Sequence, residues 1–139
     1  MTDFDHLLPL MQDFYAFERL PYHEVRQRRL ISQMVADKNL GRLILFEAGG
    51  ELLGYMVLGF GFSLEFDGRD CLLDEFYVRP QNRKQGLGKA AIAFARQICR
   101  ELGIKAMHLE ADHFNARGHE FYKRLGFKDH DRHLMTLWL

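Results

Sequence analysis

The sequence predicts a single α/β domain, residues 1–139, whose sheet is mixed but mostly antiparallel and carries helices on both faces. Three observations lead there. Apolar residues recur at helical steps of three and four up to about residue 37, then at strand steps of two from Arg42 onward. Between two such strand-like runs, Gly49-Gly50 supplies the positive φ that a tight antiparallel hairpin needs. Further along, the succession strand, glycine-bearing loop, helix, strand reads as a parallel crossover. The expected order is ααβββαβαβ, with a further strand-like run at the C-terminus.

The first helix follows Thr2 or Asp3, either of which can cap it, and aligns Leu7, Leu10, Met11, Phe14 and Phe17. Pro9 is tolerated there by virtue of lying near the first turn. A second helix is expected to begin around Pro21, to carry Val25, Leu30, Ile31, Met34 and Val35, and to stop at about Asp37, before Asn39 and Gly41. Residues 42–47 and 51–62 form the hairpin. Gly54, Gly59 and Gly61 in its second strand imply bulges or the close approach of another backbone. Phe66-Asp67-Gly68 turns the chain into the central strand, which stops before Pro80. The next helix buries Leu87, Ala91, Phe94, Ala95, Ile98 and Leu102 and is closed by Gly103. A strand over 105–111, a helix over 116–124 ended by Gly126, and strand character from Phe127 complete the chain. Residues 133–139 alternate and could pair across two chains at an open edge, which would make a homodimer.

An apolar content of 47% in 139 residues suits one domain with a real core. Lys plus Arg equals Asp plus Glu at 19 each, so no net basic field draws nucleic acid or an anionic membrane. Cys71 and Cys99 lack CxxC spacing and read as buried thiols of a reducing compartment. No apolar run approaches the ~18 residues of a membrane span. A soluble cytoplasmic protein is expected, without nucleic-acid or membrane partners. No metal is expected either, because the histidines are scattered and His130 and His133 miss the i, i+4 spacing of a helical zinc pair.

Residues 72–100 hold the chemistry. Phe76, Tyr77 and Val78 end a strand, a polar turn follows, and Gly86 and Gly88 open a helix. The first N–H groups of a helix lack intrahelical partners and sit at the positive end of its dipole, so the loop is a ready anion site, with Arg83, Lys84 and Lys89 adding cations. A phosphate or pyrophosphate is the expected ligand. A Walker loop is excluded: Arg83 stands where its first glycine belongs, and Ala90 where a magnesium-binding hydroxyl is required. A dinucleotide fingerprint fails as well, with Ala91 in place of the third glycine and no early strand to open the unit.

Arg83-Lys84-Gln85-Gly86-Leu87-Gly88, placed after Val78-Arg79-Pro80, resembles the Arg/Gln-x-x-Gly-x-Gly/Ala acetyl-CoA motif of the GNAT N-acetyltransferase superfamily. Asn115 followed by Phe121-Tyr122-Lys123-Arg124-Leu125-Gly126-Phe127 is similar to the second motif of that superfamily. The resemblance is to small bacterial-type amine acetyltransferases, and Leu73-Asp74-Glu75-Phe76-Tyr77-Val78 is similar to the matching strand of diamine acetyltransferases. It implies acetyl-CoA as co-substrate, with Phe76, Tyr77 and Val78 offering backbone groups to its pantetheine arm. Arg83, Lys84, Gln85, Gly86, Leu87, Gly88 and Lys89 would cradle its pyrophosphate. The family's short strand ahead of the first helix has no counterpart; either it is absent or the chain begins late.

An amine protonated at pH 7 has no lone pair, so attack on a thioester needs a base, and the departing thiolate gains from a proton donor. Strand alternation puts Asp74 and Glu75 on opposite faces, so at most one is expected to face the acceptor. The resemblance implies Asp74 as base or water-holder, with Glu75 second, and Tyr122 as the acid that protonates the thiolate. It also implies that Asn115 contacts the pantetheine arm or the phosphates, although asparagine is equally a good helix N-cap. Asp74, Glu65, Asp67 and Glu18 could line an acidic pocket for a small cationic amine, with Tyr15, Phe17 and Tyr22 as its wall. The expected function is acetyl transfer from acetyl-CoA to such an amine. The alternatives are acetylation of a protein lysine or N-terminus and a CoA-binding sensor without turnover.

Overall fold

Periodicity and burial place the helices close to where the sequence puts them. In the computed structural model, whose described residues are 3–139, helix α1 spans Asp3–Phe17 and buries Leu7, Leu8, Leu10, Met11 and Phe14. Thr2, the alternative cap, lies outside the described residues. Pro9 falls in the second turn rather than the first, and the buried stripe carries the helix through it. Helix α2 runs Glu24–Ala36 with His23 as N-cap, three residues later than Pro21 suggests. Tyr22 holds that link out of the helix, its hydroxyl donating to the Leu8 carbonyl at 3.3 Å and its ring meeting Tyr15 edge-on at 5.8 Å.

Strands β1 (Gly41–Ala48) and β2 (Glu51–Ser63) form the hairpin, turned by Gly49 and Gly50 at φ 59° and 77°. Strand β3 (Gly68–Val78) pairs antiparallel with β2, and β4 (Ala106–Leu109) pairs parallel with β3, giving the order β1-β2-β3-β4. Between them lie α3 (Leu87–Glu101) and, after β4, α4 (Ala116–Arg124). The alternation of β2 divides the interior in two. Leu52, Tyr55 and Val57 pack with α1, α2 and Tyr77 on one face, while Met56 and Leu58 pack with Leu73, Ile92 and Ala95 on the other. Gly54 is required by close approach, because a Cβ there would collide with the Tyr77 carbonyl oxygen and lie 3.0 Å from the Val78 Cα.

Two expectations are corrected. Strand β4 covers four residues, not 105–111, because its pairing with β3 ends at Leu73 opposite Leu109, where the two strands part. No strand follows α4 among the described residues: residues 133–139 alternate as a strand does but have no neighbour to pair with and lie exposed. Alternation marks the capacity to pair, and a ladder needs a second edge.

Candidate active site

The parting of β3 and β4 coincides with an irregularity in β3. Val57 of β2 pairs with Glu75 and the next residue, Leu58, with Leu73, so Asp74 is an extra residue with no partner. Such a bulge breaks strand alternation and places two consecutive side chains on one side. The expectation that Asp74 and Glu75 face opposite ways is therefore overturned. Glu75 turns to the α1 face and accepts from the Tyr15 and Tyr55 hydroxyls at 2.6 and 2.8 Å. Asp74, the most exposed part of the bulge, lines a shallow groove of about 340 Å³ with Gly59, Phe60, Gly61, Asp70 and Leu72. The Asp74 charge is felt by Glu75, Tyr15 and Tyr55 alike, which puts it beside all three.

Desolvation raises both carboxyls above the ordinary range. For Asp74 the sheet and the α1 face crowd the carboxyl on one side while the groove leaves the other open. For Glu75, desolvation outweighs the two tyrosine hydrogen bonds that favour its anion, and the neighbouring Asp74 charge adds to the rise. Two carboxyls shifted upward on one side of a strand hold a proton more tightly than ordinary carboxylates, which suits them to proton uptake.

Beyond Leu73 the β4 side of β3 has no paired strand, so among the strands Phe76, Tyr77 and Val78 pair with β2 alone. Their side chains are structural: Phe76 meets Phe46 edge-on at 6.1 Å, and Tyr77 and Val78 are buried. In the following loop Lys84 and Gly86 both take positive φ, at 63° and 81°. Among the described residues, the backbone N–H groups of Lys84, Gln85, Gly86, Leu87, Gly88 and Lys89 donate to no protein acceptor; the first bond of α3 is Ala90 N–H to the Gly86 carbonyl. Six consecutive free donors at a helix N-terminus match a pyrophosphate. Lys84, Gln85 and Lys89 project into solvent around them. Gly88 is fixed by packing, since a Cβ there would sit 3.1 Å from the Phe121 ring of α4.

Arg83 points elsewhere. Its Nε donates to the Val78 carbonyl at 2.8 Å, and its guanidinium lies 5.4 Å from the Tyr77 ring centre and 6.0 Å from that of Phe17. It braces the loop against the end of α1 instead of joining the cluster of free cations. Asn115 caps α4, its side-chain oxygen accepting from Gly118 N–H at 3.0 Å, and that side chain fills the space a Cβ on Gly118 would need. Tyr22 and Tyr15 form an aromatic wall bonded to Leu8 and Glu75. Glu65 lies apart from the groove, at the tip between β2 and β3, where Arg132 binds both its carboxylate oxygens.

Tyr122 closes the opposite side, its ring 5.3 Å from Phe121 and 5.7 Å from Phe127. Burial first, then the Glu18 charge, push its phenol up to about 12, which keeps it a neutral donor at working pH. Glu18, at the end of α1, is itself raised to about 7, chiefly by burial and then by a hydrogen bond to Asp112. Phe17 and Phe114 meet edge-on at 6.4 Å beside that pair, so the end of α1 rests on the loop ahead of α4. Asp112, Tyr55 and Asp70 are the members of this neighbourhood absent from the sequence-based expectation. Tyr55 was readable from Val57, two residues on and on the same face, whereas Leu52 joins that face only through the irregularity in the β1–β2 pairing.

The Glu18 shift has a direct consequence for stability. A carboxyl that holds its proton more tightly folded than unfolded costs stability wherever it must ionise, so stability should fall as pH rises from the ordinary glutamate range through about 7. Glu18→Gln should flatten that decline, and thermal melts across the window measure it.

Residues 5–127 match the model of the acetyltransferase (GNAT) family. The chain belongs to that family. The bovine thialysine N-epsilon-acetyltransferase is 33% identical over 89 residues, which are 61% of this chain and 52% of that protein, so the match spans about half its length. The mouse protein of the same name is 24% identical over 136 residues, 92% of this chain and 80% of that one. A crystal structure of an integron cassette protein from the mobile metagenome of Cole Harbour Salt Marsh superposes with a TM-score of 0.83 at 34% identity, covering 96% of this chain and 82% of that one. Among the described residues no helix is long and apolar enough to cross a membrane, and no group of three His, Cys, Asp or Glu could hold a metal ion.

Proposed function

We propose that the chain is an acetyl-CoA-dependent N-acetyltransferase whose acceptor is a small cationic primary amine. The observation that carries this reading is the bulge at Asp74, which sets two upward-shifted carboxyls on one side of β3 where it parts from β4. The free donors from Lys84 to Lys89 hold the pyrophosphate of acetyl-CoA, and the unpaired edge of β3 receives its pantetheine arm. Asp74, with water as intermediary where needed, takes a proton from the ammonium. The amine nitrogen then bonds to the thioester carbon, the carbon–sulfur bond breaks, Tyr122 gives its proton to the departing thiolate, and the second proton shed by the new amide nitrogen returns to the Tyr122 phenolate through water. Glu75, clamped by Tyr15 and Tyr55, positions the bulge and supports the Asp74 proton uptake.

The acidic groove favours an aminoalkyl compound over a neutral amine, since Asp70 and Asp74 both line it. The relatives named for thialysine point the same way. A panel of diamines, aminoalkyl amino acids, lysine peptides and N-terminal peptides, followed by release of free CoA thiol, tests the reading. Turnover with the small diamines or amino acids is expected. Turnover with peptides alone would replace the acceptor class. No thiol release from any amine, with acetyl-CoA still raising the melting temperature, would leave a binding module in place of an enzyme.

A further inference from the structure

We propose that Asp70, held by His108, anchors a second cationic group of the acceptor, so that the groove measures the distance between that group and the amine acetylated beside Asp74. This deepens the proposed function and rests on its placement of the reacting amine at Asp74.

The groove owes its floor to two glycines. Gly59 and Gly61 of β2 lie on the same face as Tyr55 and Val57, opposite Leu72 and Asp70 of β3. Glycine inside a strand weakens it, so each calls for a reason. Gly61 has one in the fold: a Cβ there would lie 2.7 Å from the Asp70 Oδ1, because the carboxylate leans over it. Gly59 has no such reason. Its φ lies outside the left-handed region, and a Cβ there would meet only the Leu72 carbonyl oxygen, at 4.0 Å. A side chain at that position would instead occupy the groove of about 340 Å³ that runs past Leu72 from Asp70 to Asp74. Empty floor between two carboxylates, kept open at a cost to the strand, is room for a ligand chain.

Asp70 is built as an anchor. His108 of β4 stands beside Leu72 in the parallel register, and its Nε2 lies 3.3 Å from the Asp70 Oδ2. Phe66 packs on the imidazole at a ring separation of 4.3 Å and keeps it there. One carboxylate oxygen is thus directed to His108, while Oδ1 lies over Gly61 and no described residue donates to it. The Asp70 side chain is only 18% exposed, so an ammonium that reaches Oδ1 makes a charged hydrogen bond in a place largely withdrawn from water.

Register sets the measure. Asp70 stands opposite Gly61, and Asp74 is the unpaired residue between Leu73, opposite Leu58, and Glu75, opposite Val57. At ~3.3 Å per residue their separation along the strand is roughly 10–13 Å. With a charged hydrogen bond of ~2.8 Å at each end, the two nitrogens stand roughly 5–8 Å apart, the span of about three to five carbons.

Rates of CoA thiol release with α,ω-diamines of increasing length, each set against the monoamine of equal length, read this measure. The wild type should prefer the diamine about 10-fold or more in kcat/KM, through KM, with the optimum at about four carbons. Asp70→Asn should bring that ratio close to one. His108→Leu should lower it, and His108→Gln, which keeps a nitrogen donor toward Asp70, should restore part of it. Gly59→Val suits a strand and should keep the melting temperature while raising the diamine KM about 10-fold or more. A wild type that treats diamines and monoamines alike overturns the proposal. So does a ratio that survives Asp70→Asn or His108→Leu, or a Gly59→Val protein with the wild-type KM. If no amine is turned over, the placement of the reaction at Asp74 fails by itself, and calorimetry of 1,4-diaminobutane with the CoA-bound protein decides the anchor. Binding weakened about 10-fold or more by Asp70→Asn upholds it, and equal binding or none overturns it.

Discussion

Replacing Tyr122 by phenylalanine should lower turnover by about 10²-fold or more and leave acetyl-CoA affinity nearly unchanged. The substitution removes one oxygen and preserves the ring contacts with Phe121 and Phe127, so α4 and the packing of Gly88 on Phe121 stay as they are. The Tyr122 hydroxyl makes no hydrogen bond to another described residue, which frees it for a leaving group. Because burial and the Glu18 charge hold its pKa at about 12, the phenol carries its proton through the neutral range. The phenol is called on only as the carbon–sulfur bond breaks and not when acetyl-CoA binds, so the loss belongs in kcat. Steady-state kinetics with the best amine, together with acetyl-CoA titration of the variant, separate the two quantities. Turnover at the wild-type level would assign thiolate protonation to solvent.

The elements that depend on local pattern were legible in the sequence: α3 and its glycine loop, the Gly49-Gly50 hairpin and the α4 segment capped by Asn115. Their signals are periodicity, capping and positive φ, all written within a few residues. The bulge at Asp74 is different in kind, because register is decided by both strands together and nothing in Leu73-Asp74-Glu75 announces an extra residue. The rule of alternation therefore gave a confident and incorrect placement of the carboxyls. The inward turn of Arg83 was hidden for a similar reason. A cation beside a phosphate loop reads as a ligand contact, and its packing on the rings of Phe17 and Tyr77, distant in sequence, is visible only in the fold. Residues 133–139 show the converse: their pattern is strand-like, and the missing ingredient is a partner edge.

Asp74→Asn should depress kcat/KM by about 10²-fold near neutral pH and abolish the acid limb of its pH profile, whereas Glu75→Gln should cost about 10-fold and keep that limb. A base acts only when deprotonated, so wild-type kcat/KM rises with pH through the folded-state pKa of the group responsible. Desolvation raises the Asp74 value, which sets this limb above the ordinary aspartate range. Asparagine keeps the shape of the side chain on the bulge and removes its ability to accept the proton. Glu75 is held differently, by hydroxyls of Tyr15 and Tyr55 that donate to both its oxygens. Glutamine can accept one of these bonds and must offer its amide hydrogens to the other hydroxyl, so the clamp loosens and Asp74 shifts with it. The Asp74 limb itself should also move, because the Asp74 carboxyl lies close enough to Glu75 to raise the Glu75 pKa, and like charges act reciprocally. Removing the Glu75 charge should move the limb to lower pH. The reverse outcome, a limb lost in Glu75→Gln and retained in Asp74→Asn, would transfer the base to Glu75 and make Tyr15 and Tyr55 the groups that carry its proton away.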